Sequence, residues 1–391
     1  MSTAPEQVLP RSLWALLFGN FVIGTGIMVV PGTLNDISQS LGISIASAGQ
    51  LISASALLVC LGAPIFATLI GNWDRRRLLT LCMVWYGVLL TLCATMPSFA
   101  TLLPLRVLAV IPAAIFTPQA AACVGLLVTP AQRGRAITLV FLGWSVASVL
   151  GMPLASLIGG TLGWRAAFVL IGLLAFASAL WVWRAMPNGI TPPALSRESW
   201  AATFRSKALM LSIAVTVLYS AGQFVLFAYF APYFKMTLKV TPTQLSLLFA
   251  WFGAFGFIGN MLASRYIDRM GPARTVLVCV GSMALSLLVW PLGTSVVLAA
   301  LVCVPWALGC FSSNSAQQAR LVSLFPALAG GSIALNTSAM YAGQAMGAAA
   351  GGWLISIGQM GVLHWVGFVG LLAAMAISVR ASRALAAPAA S

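Results

Sequence analysis

The chain has 391 residues, of which 61% are hydrophobic and only 6% are charged, whereas a soluble domain carries about 25% charged residues. With a mean hydropathy of +1.01, this composition excludes a soluble globular protein. Apolar stretches of about 20 residues, the length that crosses a bilayer core of roughly 30 Å, recur along the whole chain. The sequence therefore predicts an all-α polytopic membrane protein.

In chain order, the apolar stretches predict twelve transmembrane helices. They span residues 13–34, 46–70, 78–96, 102–127, 136–162, 166–186, 208–232, 243–263, 275–293, 296–318, 332–356 and 362–382. The first stretch is too long for the 7- to 15-residue apolar core of a signal peptide, so we expect it to remain in the protein as helix 1.

The formal net charge of +15 follows the gaps between these helices. With a cytoplasmic N-terminus, sixteen of the twenty basic residues fall on the cytoplasmic side. They are Arg11, Arg75, Arg76, Arg77, Arg133, Arg135, Arg184, Arg197, Arg205, Lys207, Arg265, Arg269, Arg274, Arg320, Arg380 and Arg383. The positive-inside rule therefore predicts both termini in the cytoplasm of a bacterium, with the protein in the inner (cytoplasmic) membrane. The charge reports topology, and no nucleic-acid partner is expected.

Two features recur half a chain apart. The string DRRRLL begins at Asp74 and DRMGPAR begins at Asp268, an offset of 194 residues. A glycine-rich helix 5 is matched by a glycine-rich helix 11, in which Gly347 lies 196 residues after Gly151. This repetition predicts two six-helix halves, residues 1–186 and 208–391, joined by a cytoplasmic linker over residues 187–207. A short interfacial helix is expected within the linker, from Ser199 to Lys207.

The two repeated loops are candidate conformational latches. Asp74 stands beside Arg75 and Arg76 after helix 2, and Asp268 stands beside Arg269 after helix 8. An acid next to arginines at a helix junction can pair with a neighbouring helix, or lie against its dipole, and so hold one conformation. The alternative is that these charges only set the topology.

Helix 5 carries Gly143, Gly151, Gly159 and Gly160, with Pro153 between them. Glycines spaced at one or two turns remove side chains from one face, so that two helix backbones approach closely. The proline removes a backbone donor and bends the helix. Ordinary tight helix packing is the alternative interpretation.

The residues GMPL with the two following glycines, and then Gly163, Trp164 and Arg165, resemble the antiporter motif of drug:proton antiporters in the major facilitator superfamily. Within that group the chain is most similar to the sugar-efflux, or arabinose-efflux-like, permeases. The strings SAGQLISA, from Ser47, and FGFIGNMLASRYIDRMGPAR match the same pattern. The resemblance implies the major facilitator fold, with a cavity between the halves, and export of a small molecule in exchange for protons.

Helices 1, 4, 7 and 10 line the cavity in that family, so Asn20, Gln119, Gln223 and Asn314 are candidate cavity residues. Each carboxamide is alternatively a hydrogen-bonding link between helices. Such a lining fits a neutral or hydrogen-bonding substrate. Arg106 matches the family's fourth-helix arginine, and its predicted place, about four residues or roughly 6 Å into helix 4, is shallow enough to snorkel outward. It is either an interface anchor or a further cavity residue.

Proton coupling needs a group that titrates, and the sequence has only five acids and one histidine. None of the acids falls at the middle of a predicted helix, where proton relays are usually found. Asp36, at the periplasmic end of helix 1, is the nearest and is the candidate for proton coupling. His364 is expected at the interface near the outer end of helix 12. The cysteines lie in apolar stretches without metal-type spacing, so no metal site is expected.

These observations predict a secondary active transporter that exports a sugar-like, nucleoside-like or drug-like molecule by alternating access. An uncoupled facilitator or an uptake permease of the same fold is the alternative. A non-transporting membrane receptor or an integral enzyme is disfavoured because no loop is large enough for a soluble site. No nucleotide-binding loop occurs, and no cofactor is expected. The expected partners are the substrate, protons and the lipid bilayer, with the protein as a monomer.

Overall fold

The computed structural model describes residues 10–70, 73–129, 132–191, 197–324 and 329–386. Every regular element in these ranges is helical. The N-terminal bundle contains α1 (Arg11–Leu41), α2 (Ile45–Leu69), α3 (Arg75–Thr95), α4 (Phe99–Ala109), α5 (Ile111–Leu127), α6 (Arg133–Val146), α7 (Met152–Leu162) and α8 (Trp164–Ala185). After α9 (Arg197–Arg205), the C-terminal bundle contains α10 (Lys207–Phe227), α11 (Phe230–Thr237), α12 (Pro242–Met270), α13 (Pro272–Leu288), α14 (Val296–Leu324), α15 (Ala329–Ser356) and α16 (Leu363–Ala386).

Ten helical segments of the described chain are long and apolar enough to cross a bilayer. Three of them consist of two consecutive helices: α4 with α5, α6 with α7, and α10 with α11. The helices α13 and α15 lie where the sequence predicts helices 9 and 11, but α13 has only 17 residues and α15 is not among the ten. The all-helical, multi-pass architecture is confirmed, and the count of twelve crossings stays a prediction.

The break between α4 and α5 follows from one proline. Pro112 has no amide hydrogen for the carbonyl of Leu108, which would accept it in an uninterrupted helix. Trp85 of α3 instead donates its indole N–H to that carbonyl, at 2.9 Å. A side chain of a neighbouring helix thus replaces the missing backbone donor.

A π-helical turn, Ala147–Gly151, joins α6 to α7 directly before Pro153. The sequence predicts a bend at this proline. The structure accommodates the lost backbone donor with a wider turn, which also moves the following residues around the helix axis. Such turns inside helices often mark functional sites.

Each bundle is built around its first helix. In the N-terminal bundle α1 packs against α6 and α8, and in the C-terminal bundle α10 packs against α15 and α16. Gly143 of α6 lies on the carbonyl of Leu17, and Gly343 of α15 lies on the carbonyl of Val217 in the same way. These matching contacts lie 200 residues apart, a slightly larger offset than the 196 that the glycine patterns give. The two bundles join through α2 with α15, α12 with α7 and its π-helical turn, and α1 with α11.

Helix 1 is longer than the sequence predicts. Its predicted end at residue 34 is wrong because the polar residues that follow continue the helix to Leu41. Gly42 ends it in the left-handed conformation (φ 64°), and its amide bonds to the carbonyls of Gln39 and Ser38. Asp36 therefore lies inside α1 rather than at its end. In the linker, the helix expected from residue 199 to 207 is α9, two residues earlier, and residues 192–196 lie outside the described ranges.

Candidate functional site between the two bundles

An ion pair joins the bundles at the end of the molecule where α1 ends and α12 begins, which we call the closed end. The ammonium of Lys235, on α11, donates to Asp36 Oδ1 at 2.7 Å. The two side chains are only 16% and 17% exposed, respectively. Asp36 Oδ2 is buried there without a hydrogen-bond partner among the described side chains. The pair therefore contributes to holding α1 against α11.

At the closed end α12 also packs on α7 and on its π-helical turn. Gly253 lies directly on the backbone carbonyl of Ser148, so that no side chain fits between them. The hydroxyl of Ser246 donates to the carbonyl of Pro153 at 2.9 Å. A Cβ atom on Gly160 would lie only 2.8 Å from Cβ of the α12 residue Pro242. Opening this end requires the separation of these surfaces.

The other glycines of predicted helix 5, which in the structure is α6, the π-helical turn and α7, face α1. Gly143 meets the α1 backbone, Gly151 meets the side chain of Thr25, and Gly159 meets Thr33. A Cβ atom on Gly159 would lie 3.8 Å from Asp36 Oδ2. The predicted close helix approach is therefore present, and it places α7 beside the ion pair.

Asn20 is a link between helices in this structure. It is fully buried, its Nδ2 donates to the carbonyl of Val140 at 2.9 Å, and its Oδ1 accepts from the Thr117 hydroxyl at 2.8 Å. The indole of Trp144 donates to the same hydroxyl at 3.3 Å. Gln119 is buried on α5. The alternative interpretation of a link between helices therefore describes Asn20 in this conformation.

The carboxamides of the C-terminal bundle are engaged in the same manner. Asn314 Oδ1 accepts from Asn336 Nδ2 at 3.0 Å, and Asn336 Oδ1 accepts from the Thr216 hydroxyl at 2.6 Å. Gln223 Oε1 accepts from the thiol of Cys310 at 3.1 Å. These bonds tie α10, α14 and α15 together.

Arg106 lies much deeper than the sequence predicts. The side chain is 2% exposed, and its Nη2 donates to the carbonyl of Gly26 at 2.7 Å. Gly26 stands fifteen residues from either end of α1, which is about 22 Å along the helix. The interface-anchor alternative does not describe this conformation, because α4 begins earlier, at Phe99, and because the side chain turns toward α1. The face of Phe168 lies 5.8 Å from the guanidinium carbon.

Asp74 caps α3 and fastens it to the segment after α8. Its Oδ1 accepts from the amide of Arg77 at 3.1 Å, and its Oδ2 accepts from the amide of Gly189 at 2.6 Å. Burial raises the pKa of Asp74, but these hydrogen bonds and the Arg77 charge outweigh it, so that the pKa lies below its ordinary value. The carboxylate form therefore stabilises this junction.

Arg75 and Arg76 extend the same attachment. The amide of Arg75 donates to the carbonyl of Ile190 at 3.0 Å, and Arg76 Nη1 donates to Asn188 Oδ1 at 3.0 Å. Asp268 and Arg269 are exposed at the end of α12. The first loop bonds to the segment after α8. A latching role for either loop stays a prediction.

Two further residues belong to this description. Lys235 has no role in the sequence prediction beyond topology, although it is one of only four basic residues outside the cytoplasmic set. Lys235 follows the outer end of predicted helix 7, and Asp36 follows the outer end of predicted helix 1. This shared position is the sequence signal that could have paired the two residues. His364, expected at the interface, is only 6% exposed, and neither ring nitrogen has a hydrogen-bond partner among the described residues.

Comparison with known proteins gives a family match over almost the whole chain. The model of the Major Facilitator Superfamily matches residues 16–348 and 213–389. The chain is 31% identical over 288 residues to the chloramphenicol resistance protein of Streptomyces lividans, which is 72% of each protein. It is 28% identical over 348 residues to the inner membrane transport protein YdhP of Escherichia coli (strain K12), covering 88% of this chain and 89% of that one. It is also 27% identical over 361 residues to AraJ of the same strain, which is named as a transporter, and the match covers 90% of this chain and 89% of that one.

Among solved structures, a bacterial homolog of the human lysosomal transporter Spinster has a similar fold. That structure shows an inward-facing, unoccupied conformation. The TM-score is 0.75 at 18% sequence identity, with 99% of this chain and 100% of that chain covered. At this identity the similarity shows the fold.

Proposed function

The chain belongs to the Major Facilitator Superfamily, and from that premise we propose that it is a secondary active transporter that exports a small molecule by alternating access in exchange for protons. The substrate is a sugar-like, nucleoside-like or drug-like compound. The relative named for chloramphenicol resistance supports a drug-like substrate. The similarity to AraJ fits the resemblance to arabinose-efflux-like permeases.

The ion pair between the bundles is the observation that carries this proposal. It lies at the end that the distribution of basic residues assigns to the outside of the cell. Lys235 with Asp36 and Ser246 with Pro153 form hydrogen bonds between the bundles, both toward this end. We therefore assign the conformation as closed to the outside, and export requires these contacts to break and re-form.

Asp36 is the group that we assign to proton coupling. Only its ionised form pairs with the Lys235 ammonium, so protonation from the outside weakens the closed end and favours opening. Re-forming the ion pair requires the proton to leave Asp36, and exchange for substrate requires it to leave toward the cytoplasm, through the space between the bundles, before this end closes. Movement of a proton is thereby tied to movement of the bundles.

The test uses inside-out membrane vesicles, whose lumen corresponds to the outside of the cell. Vesicles with an acidified lumen should accumulate a compound from a panel that includes chloramphenicol, nucleosides and sugars. Vesicles with Asp36→Asn should lose accumulation against a gradient. The absence of accumulation across the whole panel in the unmodified protein would defeat the export proposal.

An uncoupled facilitator, or an uptake permease, is the second candidate. It is favoured by the middle of the molecule, where Arg106 lies and where the described residues include no carboxylate partner for it. A facilitator equilibrates its substrate whether or not a proton gradient is present. An ionophore that collapses the gradient should abolish accumulation by the proposed antiporter, whereas unchanged transport would favour the facilitator.

The topology is part of the proposal. We propose twelve crossings in two halves, residues 1–186 and 208–391, joined by the linker at residues 187–207, with both termini in the cytoplasm. The protein would act as a monomer in a bacterial inner membrane. An impermeant maleimide applied to intact cells should label Lys239→Cys and leave Arg205→Cys unlabelled. The reverse labelling would invert the topology.

A further inference from the structure

A narrow cavity lies between the bundles at the depth of Arg106. It has about 10 Å³ of free volume, about what one water molecule needs. Apolar side chains such as Ile52 and Val59 of α2 form much of its wall. Its polar lining includes Arg106, the hydroxyl of Ser55 and the carboxamide of Gln344 on α15.

Arg106 brings unused hydrogen-bond donors to this cavity. Nη2 donates to the carbonyl of Gly26, and the hydroxyl of Tyr86 lies beside the guanidinium. Nε and Nη1 are buried without a hydrogen bond in the described chain. The hydroxyl of Ser55 is buried and unpartnered in the same way. A buried donor left without an acceptor destabilises its site, and more so when it is charged. The cavity therefore favours an occupant that supplies acceptors.

The chain has no carboxylate available to neutralise Arg106 among its described residues. Asp36 pairs with Lys235, Asp74 caps α3, and Asp268 is exposed at the end of α12. The other two acids, Glu6 and Glu198, stand in segments that the sequence places outside the predicted helices. A buried cation without a partner in an apolar site favours an anionic occupant.

The cavity changes size if the bundles move. Its wall combines residues of α1, α2 and α4 with Tyr341 and Gln344 of α15, so the two bundles share it. Separation of α2 from α15 widens the space beside the guanidinium. The guanidinium itself stays fixed by Gly26 and by the ring of Phe168.

We infer that the Arg106 cavity binds an anionic group, of carboxylate chemistry, on the transported molecule. A carboxylate supplies both the missing acceptors and the missing charge, and its two oxygens match the planar guanidinium fork. The apolar walls accommodate an aromatic or aliphatic body beside that group. This inference rests on the proposed transport role and specifies, among the proposed substrates, compounds that carry a carboxylate.

The test measures binding to the purified full-length protein in detergent micelles. The probes are benzoate, cinnamate and 4-nitrobenzoate, each compared with its primary amide at constant ionic strength. We expect each carboxylate to bind at least about 10-fold more tightly than its amide, because a charge-assisted hydrogen bond contributes about 1.5–3 kcal/mol. Arg106→Lys should weaken carboxylate binding about 10- to 100-fold and leave the amides unchanged.

The matched control is Arg320→Lys. Arg320 is an equally buried arginine on α14, but its guanidinium donates to the hydroxyls of Ser378 and Ser382. Its replacement should leave the preference for carboxylates intact. The comparison of acid with amide in the unmodified protein does not depend on the folding of any variant.

Equal binding of acids and amides by the unmodified protein would overturn the inference, and so would a full preference retained by Arg106→Lys. Vesicle transport separates this failure from that of the proposed function. If a neutral compound accumulates in vesicles and no carboxylate preference exists, the export proposal stands and the anion site does not. If carboxylates bind through Arg106 and neither the panel compounds nor the three carboxylates accumulate, the site stands and the export proposal fails.

Discussion

Replacement of Asp36 by Asn should shift the protein toward a state open at the closed end. The change keeps the size and shape of the side chain but removes the charge that faces Lys235 across 2.7 Å. Because the two side chains are only 16% and 17% exposed, solvent compensates the lost partner poorly. A charge-assisted hydrogen bond in such a place contributes about 1.5–3 kcal/mol. The equilibrium between closed and open forms should therefore move roughly 10- to 100-fold.

The assay is a distance measurement between spin labels at Gln39→Cys on α1 and Thr243→Cys on α12, both exposed at the closed end. Five of the seven native cysteines are buried, and Cys60 and Cys310, which are partly exposed, are replaced first. Asp36→Asn should enlarge the population with a long distance. The exchanged pair, Asp36→Lys with Lys235→Asp, should restore the short distance.

Arg165→Gln is the control for loss of charge at the same end. Arg165 donates to the hydroxyl of Ser40 at 2.9 Å and to the carbonyl of Met96 at 3.0 Å, both inside the N-terminal bundle. Its removal should leave the distance between the bundles unchanged. An Asp36→Asn distribution that matches that of the unmodified protein would refute the view that the ion pair holds this end closed.

Other contacts of the structure predict the effects of three further substitutions. Gly160→Ala places a methyl group 2.8 Å from Pro242 Cβ. In the spin-label assay it should destabilise the closed form by about 1–3 kcal/mol. The control is Gly361→Ala, whose methyl group meets open space and should leave the closed form unchanged. The folded-state pKa of Asp74 is lowered, so its contribution to the free energy of unfolding should be complete above its unfolded pKa of about 3.9 and lost as the pH falls through the folded value. Asp74→Asn should therefore lower the thermal unfolding temperature at neutral pH. In acid the variant and the unmodified protein should unfold at the same temperature. Trp85→Phe leaves the Leu108 carbonyl without its indole donor and should lower the free energy of unfolding by about 0.5–1.5 kcal/mol, measured by thermal unfolding. An unchanged unfolding temperature would show that the break between α4 and α5 needs no side-chain donor.

The sequence predicts the fold through signals that act over one helix or one repeat. Apolar length identifies the spans, and the repeated glycine face of helices 5 and 11 anticipates the contact of Gly143 with Leu17 and of Gly343 with Val217. Helix ends are less predictable because hydropathy falls before the helix does. The polar residues around Asp36 continue α1 until Gly42 provides a left-handed cap.

The candidate site depends on which residues meet across the bundles, and one sequence contains little information on that. Asp36 is identified as the acid nearest the membrane, but its partner Lys235 lies 199 residues away. Asn20 and Asn314 are identified as intramembrane carboxamides, yet only the structure shows that neighbouring helices use their hydrogen-bonding groups. The depth of Arg106 depends on where its side chain turns, which hydropathy does not record.

A reversible cross-link tests alternating access through the closed end most directly. The Cβ position of Gly352 on α15 lies 3.6 Å from the carbonyl of Ala46 on α2 and 2.5 Å from the hydroxyl of Tyr229. In a Tyr229→Phe background, which removes that hydroxyl, Ala46→Cys with Gly352→Cys places two thiols at this contact for a disulfide between the bundles. In inside-out vesicles, oxidation should abolish accumulation of the compound that the panel identifies, and a reductant should restore it. Full accumulation while the disulfide is intact would contradict the account.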